Sequence, residues 1–260
     1  MSGCAVIQYK PPKGKPEQAL AELAELVDSA GAQGAELIVC PEMASTGYLW
    51  SGLEQIVPYA EDPVGPTFQS LSPLAQKHQS WIVCGYIERD PFSKSQINAA
   101  HPALYNSALI ISPQGQLIHS YRKVLLYEAD LSWAQPGKKR VLIDTEMGTL
   151  FPLICMDLND PMFSLQLLDC NPSVIPFCTN WLDESSEILS YWKMRLRGWK
   201  GWFLAANTWG TECLNLRSSI EEQDVAFRGE SVILNPEGRV MAQASSRGNC
   251  VLYSSWDGRE

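Results

Sequence analysis

The chain has 260 residues, 45% of them hydrophobic, and a formal net charge of −9 from 20 basic and 29 acidic side chains. This length and composition are enough for a large buried core, in one large α/β domain or two smaller ones. The longest basic run is GKKR at Gly137–Arg140. Nucleic-acid and anionic membrane surfaces are therefore excluded as partners, because both need clustered Lys and Arg.

The sequence carries no sign of a membrane anchor. No window reaches the roughly 18 apolar residues of a membrane span. The Gly3-Cys4 pair is not preceded by the apolar stretch of a lipoprotein signal. We therefore expect a soluble, cytoplasmic protein.

The cysteine and histidine content argues against metal and cofactor chemistry. The cysteines are scattered, with no C-x-x-C pair, at Cys4, Cys40, Cys84, Cys155, Cys170, Cys178, Cys213 and Cys250. This spacing fits neither a zinc ribbon nor a thioredoxin-like site, and we expect eight reduced thiols. No pair among His78, His101 and His119 has i,i+4 spacing. We predict no metal site and no cofactor.

Short apolar runs alternate with amphipathic stretches in the first half of the chain. The predicted elements are a strand at Cys4–Tyr9, a helix at Lys15–Ala30, a strand at Ala35–Cys40, a helix at Thr67–His78, a strand at Ser80–Glu88 and a hairpin around Pro113–Gly115.

The second half continues the alternation. Its predicted elements are a strand at Gly148–Cys155, a helix near Met162–Leu168, a strand at Ser173–Cys178, a helix near Glu184–Trp199, a strand at Trp202–Asn207 and a hairpin at Asn235–Ala244. Because hairpins interrupt the βαβ rhythm, the pattern predicts mixed sheets in a single α/β domain over residues 1–260.

Three predicted strand ends carry reactive side chains. Glu42 follows the strand in IVCPEMASTGY, Lys123 follows a hairpin strand in SYRKVLLYEAD, and Cys155 ends the strand in LICMDLND. Alone, each has an ordinary structural explanation: a turn cap, a surface charge and a buried thiol. Since ligands of α/β folds tend to bind at the carboxyl ends of strands, the three together indicate a reactive site.

Over nearly its whole length, the sequence resembles the nitrilase, or carbon–nitrogen hydrolase, superfamily. The motifs that carry the resemblance are PEMASTGY, YRKVLLYEADLSWAQPG, LICMDLND and FRGESVILNPEGRV. Within the superfamily, the chain is most similar to the amidases that deamidate N-terminal asparagine and glutamine. More typical amidases carry C-Y-D-L-R-F-P, where this chain has Met156, Asn159 and Asp160. The resemblance implies a four-layer α-β-β-α sandwich and a homodimer or higher homo-oligomer, formed through helices near the Cys155 segment.

The resemblance also implies roles for the three strand-end residues. Cys155 would be the nucleophile, and Glu42 would take the thiol proton and return it to the leaving amine. Lys123 would favour the thiolate and, with the backbone N–H of Met156, stabilise the oxyanion. No histidine lies in a matching motif, so a Cys–His pair is poorly supported. An enclosed site should raise the pKa of Glu42.

A second carboxylate usually follows the lysine in this superfamily and positions the first pair. Glu128 is the only glutamate in YEADLSWAQPG, whereas a gapless count back from Pro136-Gly137 arrives at Asp130. Glu128 is the favoured choice and Asp130 the alternative.

Residues that contact the substrate are predicted more loosely. Asn180 and Trp181 follow the strand after the Cys155 helix and would line the pocket, although a strand-end Asn beside a packed Trp explains them equally well. Tyr48 would border the pocket or pack. Asp157 would orient loops rather than bind a ligand.

The predicted reaction is hydrolysis of a small linear carboxamide to carboxylate and ammonia through a Cys155 thioester. Within the enzyme class, an N-carbamoyl compound is the main alternative and an N-terminal Asn or Gln residue a further one. From another class, a catalytically silent scaffold or binding protein on the same fold stays open.

Overall fold

The secondary structure follows the predicted alternation closely. A computed structural model describes residues 2–183, 187–214 and 223–257. The helices in this part of the chain are α1 (Pro16–Ala32), α2 (Leu53–Ile56), α3 (Pro66–His78), α4 (Phe163–Cys170) and α5 (Ile188–Arg195). The predicted helix near Glu184–Trp199 begins with residues 184–186, which lie outside the described residues.

The strands of the described residues are β1 (Gly3–Gln8), β2 (Ala35–Val39), β3 (Trp81–Lys94), β4 (Pro102–Ile111), β5 (Leu117–Arg122), β6 (Ile143–Thr145), β7 (Gly148–Leu150), β8 (Leu153–Ile154), β9 (Val174–Thr179), β10 (Trp202–Asn207), β11 (Trp209–Leu214), β12 (Gln223–Arg228), β13 (Val232–Leu234), β14 (Val240–Gln243) and β15 (Cys250–Ser255). Both predicted hairpins are present, as β4–β5 and β13–β14.

The first sheet has the strand order β15-β1-β2-β3-β4-β5. Strands β1, β2 and β3 are parallel, and β4 is antiparallel to both of its neighbours. Consequently β5 runs in the same direction as β2 and β3. The carboxyl ends of β2 and β5 therefore lie at the same edge of the sheet.

The second sheet has the order β14-β13-β10-β9-β7-β6, with β8 also paired to β9. The single strand predicted at Gly148–Cys155 is divided into β7 and β8. Pro152 lies at the division, and proline has no N–H to donate to a sheet ladder. Strands β8 and β9 are parallel, so they end at the same edge of this sheet.

The two sheets pack face to face with helices outside them. Val6 and Val39 of the first sheet share an apolar cluster with Ile154, Cys178 and Leu204 of the second. On the outer faces, α1 and α3 cover the first sheet and α4 and α5 the second, each through a buried apolar stripe. This arrangement confirms the predicted α/β fold, a four-layer α-β-β-α sandwich.

In the part of the chain that the structure describes, none of the helices is both long enough and apolar enough to cross a membrane.

Candidate active site

Glu42 lies just beyond β2, in a turn that begins at Pro41. Its side chain is fully buried. The turn is held against β3 by hydrogen bonds from Gly85 N to Pro41 O (3.1 Å) and from Ala44 N to Gly85 O (2.9 Å). A Cβ atom at Gly85 would lie 2.5 Å from Glu42 Cα. Glycine at this position thus lets the carboxylate turn approach the sheet.

Lys123 follows β5 directly, and its side chain is fully buried. Its Nζ donates to Glu42 Oε1 at 2.8 Å and to Asp130 Oδ2 at 2.6 Å. Its backbone is fixed as well, because Lys123 N donates to Asn106 O (2.8 Å) and Gly137 N donates to Lys123 O (2.7 Å). A cation held by two carboxylates is the centre of the site.

The second carboxylate belongs to Asp130, which corrects the sequence-based choice of Glu128. Asp130 is fully buried at the start of a short 3₁₀ helix (Asp130–Ser132), whereas Glu128 is exposed. Asp130 Oδ2 also accepts a hydrogen bond from Tyr127 N (3.0 Å). Residues two apart in a helical turn do not face the same side. Once Asp130 points to Lys123, Glu128 points away from it.

Asn106 connects the two carboxylates and was not predicted from the sequence. Its Nδ2 donates to Glu42 Oε1 (2.7 Å) and to Asp130 Oδ1 (3.1 Å). Asn106 lies in the middle of β4 and is fully buried. The available signal was an Asn within the apolar run LYNSALIIS, because Asn is depleted in strands and a buried polar side chain needs partners.

Cys155 follows β8 and begins a short 3₁₀ helix (Cys155–Asn159). Its φ is 43°, in the left-handed region that non-glycine residues rarely adopt. Such a conformation costs on the order of 1–3 kcal/mol and persists only where the surroundings determine it. The thiol side chain is almost buried, with 8% of the residue exposed.

The Cys155 thiol is protonated at rest. Burial raises its pKa to about 12, the negative charge of Glu42 adds to the rise, and Lys123 lowers it by less than these two effects together. The expected thiolate-stabilising effect of Lys123 is therefore present but outweighed. Formation of a thiolate at Cys155 therefore requires a group that accepts its proton.

The buried ions around the thiol influence one another. Burial raises the pKa of Glu42, and attraction to Lys123 offsets this only in part. Burial lowers the pKa of Lys123, but the charges of Asp130 and Glu42 outweigh burial and hold that pKa well above its usual value. Lys123 therefore stays charged, and Glu42 binds a proton more readily than an exposed glutamate does.

A cavity of about 210 Å³ opens beside the thiol. Its walls are Tyr48, Tyr127, Cys155, Met156, Asn159, Asn180, Trp181 and Leu182. The three side chains predicted to contact substrate all lie in this lining. The Tyr48 hydroxyl and Asn180 Oδ1 are buried and have no hydrogen-bond partner among the described residues.

Asn180 and Trp181 also have structural roles. Asn180 N donates to Glu42 Oε2 (2.9 Å), and Asn180 Nδ2 donates to Glu42 O (2.8 Å). Trp181 packs its ring against Phe177, Tyr191 and Trp192. Both residues therefore border the cavity, while Asn180 also holds Glu42 and Trp181 also packs among aromatic rings.

The described residues contain no cluster of metal-binding side chains. Over residues 2–183, 187–214 and 223–257, no three His, Cys, Asp or Glu side chains form a group that would hold a metal ion.

A protein-family model matches nearly the whole sequence. The sequence model of the family described as Carbon-nitrogen hydrolase matches residues 4–257. The chain belongs to the carbon–nitrogen hydrolase family. It is an amidase-type hydrolase of the nitrilase superfamily, as the motifs around Glu42, Lys123 and Cys155 indicated.

Individual relatives span most of the chain. It is 28% identical to the protein N-terminal amidase of Schizosaccharomyces pombe, over 92% of each chain. It is 27% identical to a nitrilase of Pyrococcus abyssi, over 93% of this chain and 84% of that one.

Solved structures share the fold. The amidase of Nesterenkonia sp. AN1 superimposes with a TM-score of 0.77 at 19% identity, over 97% of this chain and 92% of that one. An N-terminal amidase with an Asn-Glu peptide superimposes with a TM-score of 0.78 at 17% identity, over 96% of each chain.

The buried ions predict unequal effects of two substitutions on stability. Lys123→Met leaves Glu42 and Asp130 without their cation, and we expect the free energy of unfolding at pH 7 to fall by about 3–5 kcal/mol. Glu42→Gln keeps one acceptor oxygen for Lys123, but its NH₂ cannot accept from Asn180 N. It also removes a carboxyl whose raised pKa makes the folded state lose stability as the pH rises through that pKa. Because these two effects oppose each other, we expect Glu42→Gln to lose less stability at pH 7 than Lys123→Met.

Urea unfolding followed by circular dichroism measures both effects, with the exposed Lys139→Met as a matched control. Protonation of Glu42, whose pKa burial raises, should relieve its repulsion with Asp130, so the deficit of Lys123→Met should shrink as the pH falls. A Lys123→Met protein as stable as Lys139→Met would contradict the buried ion network.

Proposed function

We propose that this protein hydrolyses a small, neutral linear carboxamide to a carboxylate and ammonia through a thioester on Cys155. The observation that carries the proposal is the buried Glu42–Lys123–Asp130 network beside a protonated thiol at the wall of a cavity. Each step of the reaction has a group in place for it.

Glu42 is the proton acceptor in this scheme. Each carboxylate oxygen can accept about two hydrogen bonds. Oε1 already accepts from Lys123 and Asn106, whereas Oε2 accepts from Asn180 N alone among the described residues. Oε2 therefore keeps room for the thiol proton, which moves to it as the sulfur attacks the amide carbon.

Lys123 and Met156 stabilise the tetrahedral intermediate. An ammonium has three N–H donors. Two of those on Lys123 are directed to Glu42 and Asp130, and the third remains for the oxyanion. Met156 N lies in the first turn of a helix, where backbone amides lack intrahelical acceptors. Each such donor typically contributes ~10²–10³ in rate.

The second half of the reaction reverses the proton transfer. The C–N bond breaks as Glu42 returns the proton to the leaving nitrogen, so ammonia departs and a Cys155 thioester remains. Glu42 then removes a proton from water, which attacks the thioester, and the sulfur leaves as a thiol after taking that proton. The sum is amide plus water giving carboxylate plus ammonium.

The cavity lining favours a neutral substrate. No Asp, Glu, Lys or Arg occurs among its described wall residues. Met156, Trp181 and Leu182 give it apolar surface, while Asn180 Oδ1 is an acceptor with no described partner. A carboxamide NH₂ would satisfy that acceptor. A charged group on the part of the substrate that contacts these walls would instead lose hydration without gaining a counter-ion from them.

Two other classes of substrate would be hydrolysed by the same thioester mechanism. The similarity to the N-terminal amidase of Schizosaccharomyces pombe over 92% of each chain favours an N-terminal Asn or Gln residue as the second candidate. An N-carbamoyl compound is the third, and it would release carbon dioxide together with ammonia.

An ammonia-release screen separates these candidates. We expect turnover of short aliphatic amides at least about tenfold faster, by kcat/KM, than of Asn- or Gln-initiated peptides, because a charged α-amino group finds no carboxylate in the described lining. Mass spectrometry should show an acyl adduct on the wild type that is absent from Cys155→Ala. Preference for the peptides would move the assignment to the second candidate, and carbon dioxide release would move it to the third. Failure of every compound to release ammonia or form an adduct would contradict all three.

The pH dependence tests the proton acceptor. Activity requires Glu42 to be unprotonated, so kcat/KM should rise with pH through a pKa above the ordinary glutamate value of about 4.3. The thiol pKa of about 12 then keeps kcat/KM level through the range in which an ordinary thiol, of pKa about 8.5, titrates. A rise in kcat/KM centred near that ordinary thiol pKa would show that free thiolate, rather than Glu42, controls the attack.

We also propose that the protein forms a homodimer through α4 and α5, the helices near the Cys155 segment. Met162, Leu165, Leu168 and Met194, on or next to these helices, are each at least half exposed. Exposed apolar side chains grouped on neighbouring elements are typical of an interface.

Light scattering coupled to size-exclusion chromatography tests this interface. We expect a dimer for the wild type and a monomer for Leu165→Glu, because a buried carboxylate without a partner opposes association. Val64→Glu, at an exposed apolar residue outside these helices, should leave the dimer intact. A monomeric wild type would contradict the proposal.

A further inference from the structure

Asp157 is a buried charge that the proposed reaction does not use. Its side chain is fully buried two residues after Cys155. Oδ1 accepts from Val124 N and Leu125 N, both at 2.9 Å. Oδ2 accepts from the Tyr121 hydroxyl at 2.7 Å and from Ile154 N at 3.1 Å. The four donors occupy both oxygens, as an ionised carboxylate can accommodate.

The positions of these donors connect two parts of the site. Three of them, Tyr121, Val124 and Leu125, lie on either side of Lys123 in sequence. The fourth, Ile154, immediately precedes Cys155. One carboxylate therefore joins the backbone that carries the cation to the backbone that carries the thiol.

The bond to Ile154 also acts on the turn at Cys155. That residue has a φ of 43°, which needs support from its surroundings. The hydrogen bond from Ile154 N to Asp157 closes the turn from the residue before Cys155 to the residue two after it. The same turn sets the direction of the Met156 amide.

We infer that Asp157 is a positioning residue that fixes the distance between the Cys155 turn, with its Met156 amide, and the Lys123 ammonium. It touches neither the substrate nor the reacting atoms. Its effect is on how well the thiol and the two oxyanion donors are aligned. This inference rests on the proposed function, because alignment matters only if these groups act on one carbonyl.

Asp157→Asn tests the inference with little change in volume. The amide keeps one acceptor oxygen and replaces the other with NH₂, which cannot accept from Ile154 N. A displacement of about 1 Å at a reacting group can reduce the rate about 100-fold. We expect kcat per titrated active site to fall by about that factor, with KM changed less than about threefold.

Asp160→Asn is the matched control. It is the same substitution three residues later, at a carboxylate that accepts from Arg140 Nη2 (2.8 Å) and Met162 N (2.8 Å) and, among the described residues, has no hydrogen bond to residues 121–125. We expect its kcat per titrated site to stay near the wild-type value. Counting only sites that form a thioester separates alignment from loss of folded protein. A lower melting temperature of Asp157→Asn with unchanged kcat per titrated site would overturn the inference.

If Asp157→Asn does not fold, Tyr121→Phe tests the same inference. It removes one donor and leaves the other three bonds, so we expect a smaller loss of kcat, roughly tenfold, at unchanged KM. An unchanged kcat in Tyr121→Phe would overturn the inference in that case.

Alkylation separates failure of this inference from failure of the proposed function. If no amide forms a thioester on the wild type, the reaction is wrong. The rate at which iodoacetamide alkylates Cys155 then still compares Asp157→Asn with Asp160→Asn. Equal rates in the two variants would overturn the positioning role independently of the substrate.

Discussion

The arrangement of the site depends on one fully buried cation. Lys123 Nζ lies within hydrogen-bonding distance of Glu42 and Asp130, and burying an ammonium without such partners would be prohibitively unfavourable. The two carboxylates repel each other, so the cation is equally necessary to them. Asn106 donates to both and separates them. None of these side chains can be removed without leaving another polar group buried and unsatisfied.

The layered fold is what brings these groups together. Glu42 and Lys123 follow strands of one sheet, and Cys155 and Asn180 follow strands of the other. Because β2 and β5 run in the same direction in the first sheet and β8 and β9 do so in the second, each sheet ends in a pair of functional loops. Asn180 bridges the sheets through its two hydrogen bonds to Glu42.

Sequence patterns predicted those parts of the site that directly follow a strand in the chain. Apolar runs followed by polar residues identified the turns at Glu42, Lys123 and Cys155. Most of the predicted elements differ by only a few residues from their observed bounds, although β11 and β12 were not predicted. The choice between Glu128 and Asp130 depends on which residue of a short helical turn faces Lys123. Counting back from Pro136-Gly137 indicated Asp130, which contacts Lys123, whereas residue type favoured Glu128.

Other features arise only when distant segments meet. Asn106 lies within a strand, where no turn or motif marks it. The pKa of Cys155 was expected to fall beside Lys123. In the folded protein, burial and the charge of Glu42 outweigh that attraction. In the proposed mechanism, a thiol that is protonated at rest needs a base before it attacks, and the raised pKa of Glu42 suits that carboxylate to hold the proton until the leaving nitrogen takes it. The same burial thus raises the pKa of both the thiol and the carboxylate, and this joint shift is a property of the assembled fold.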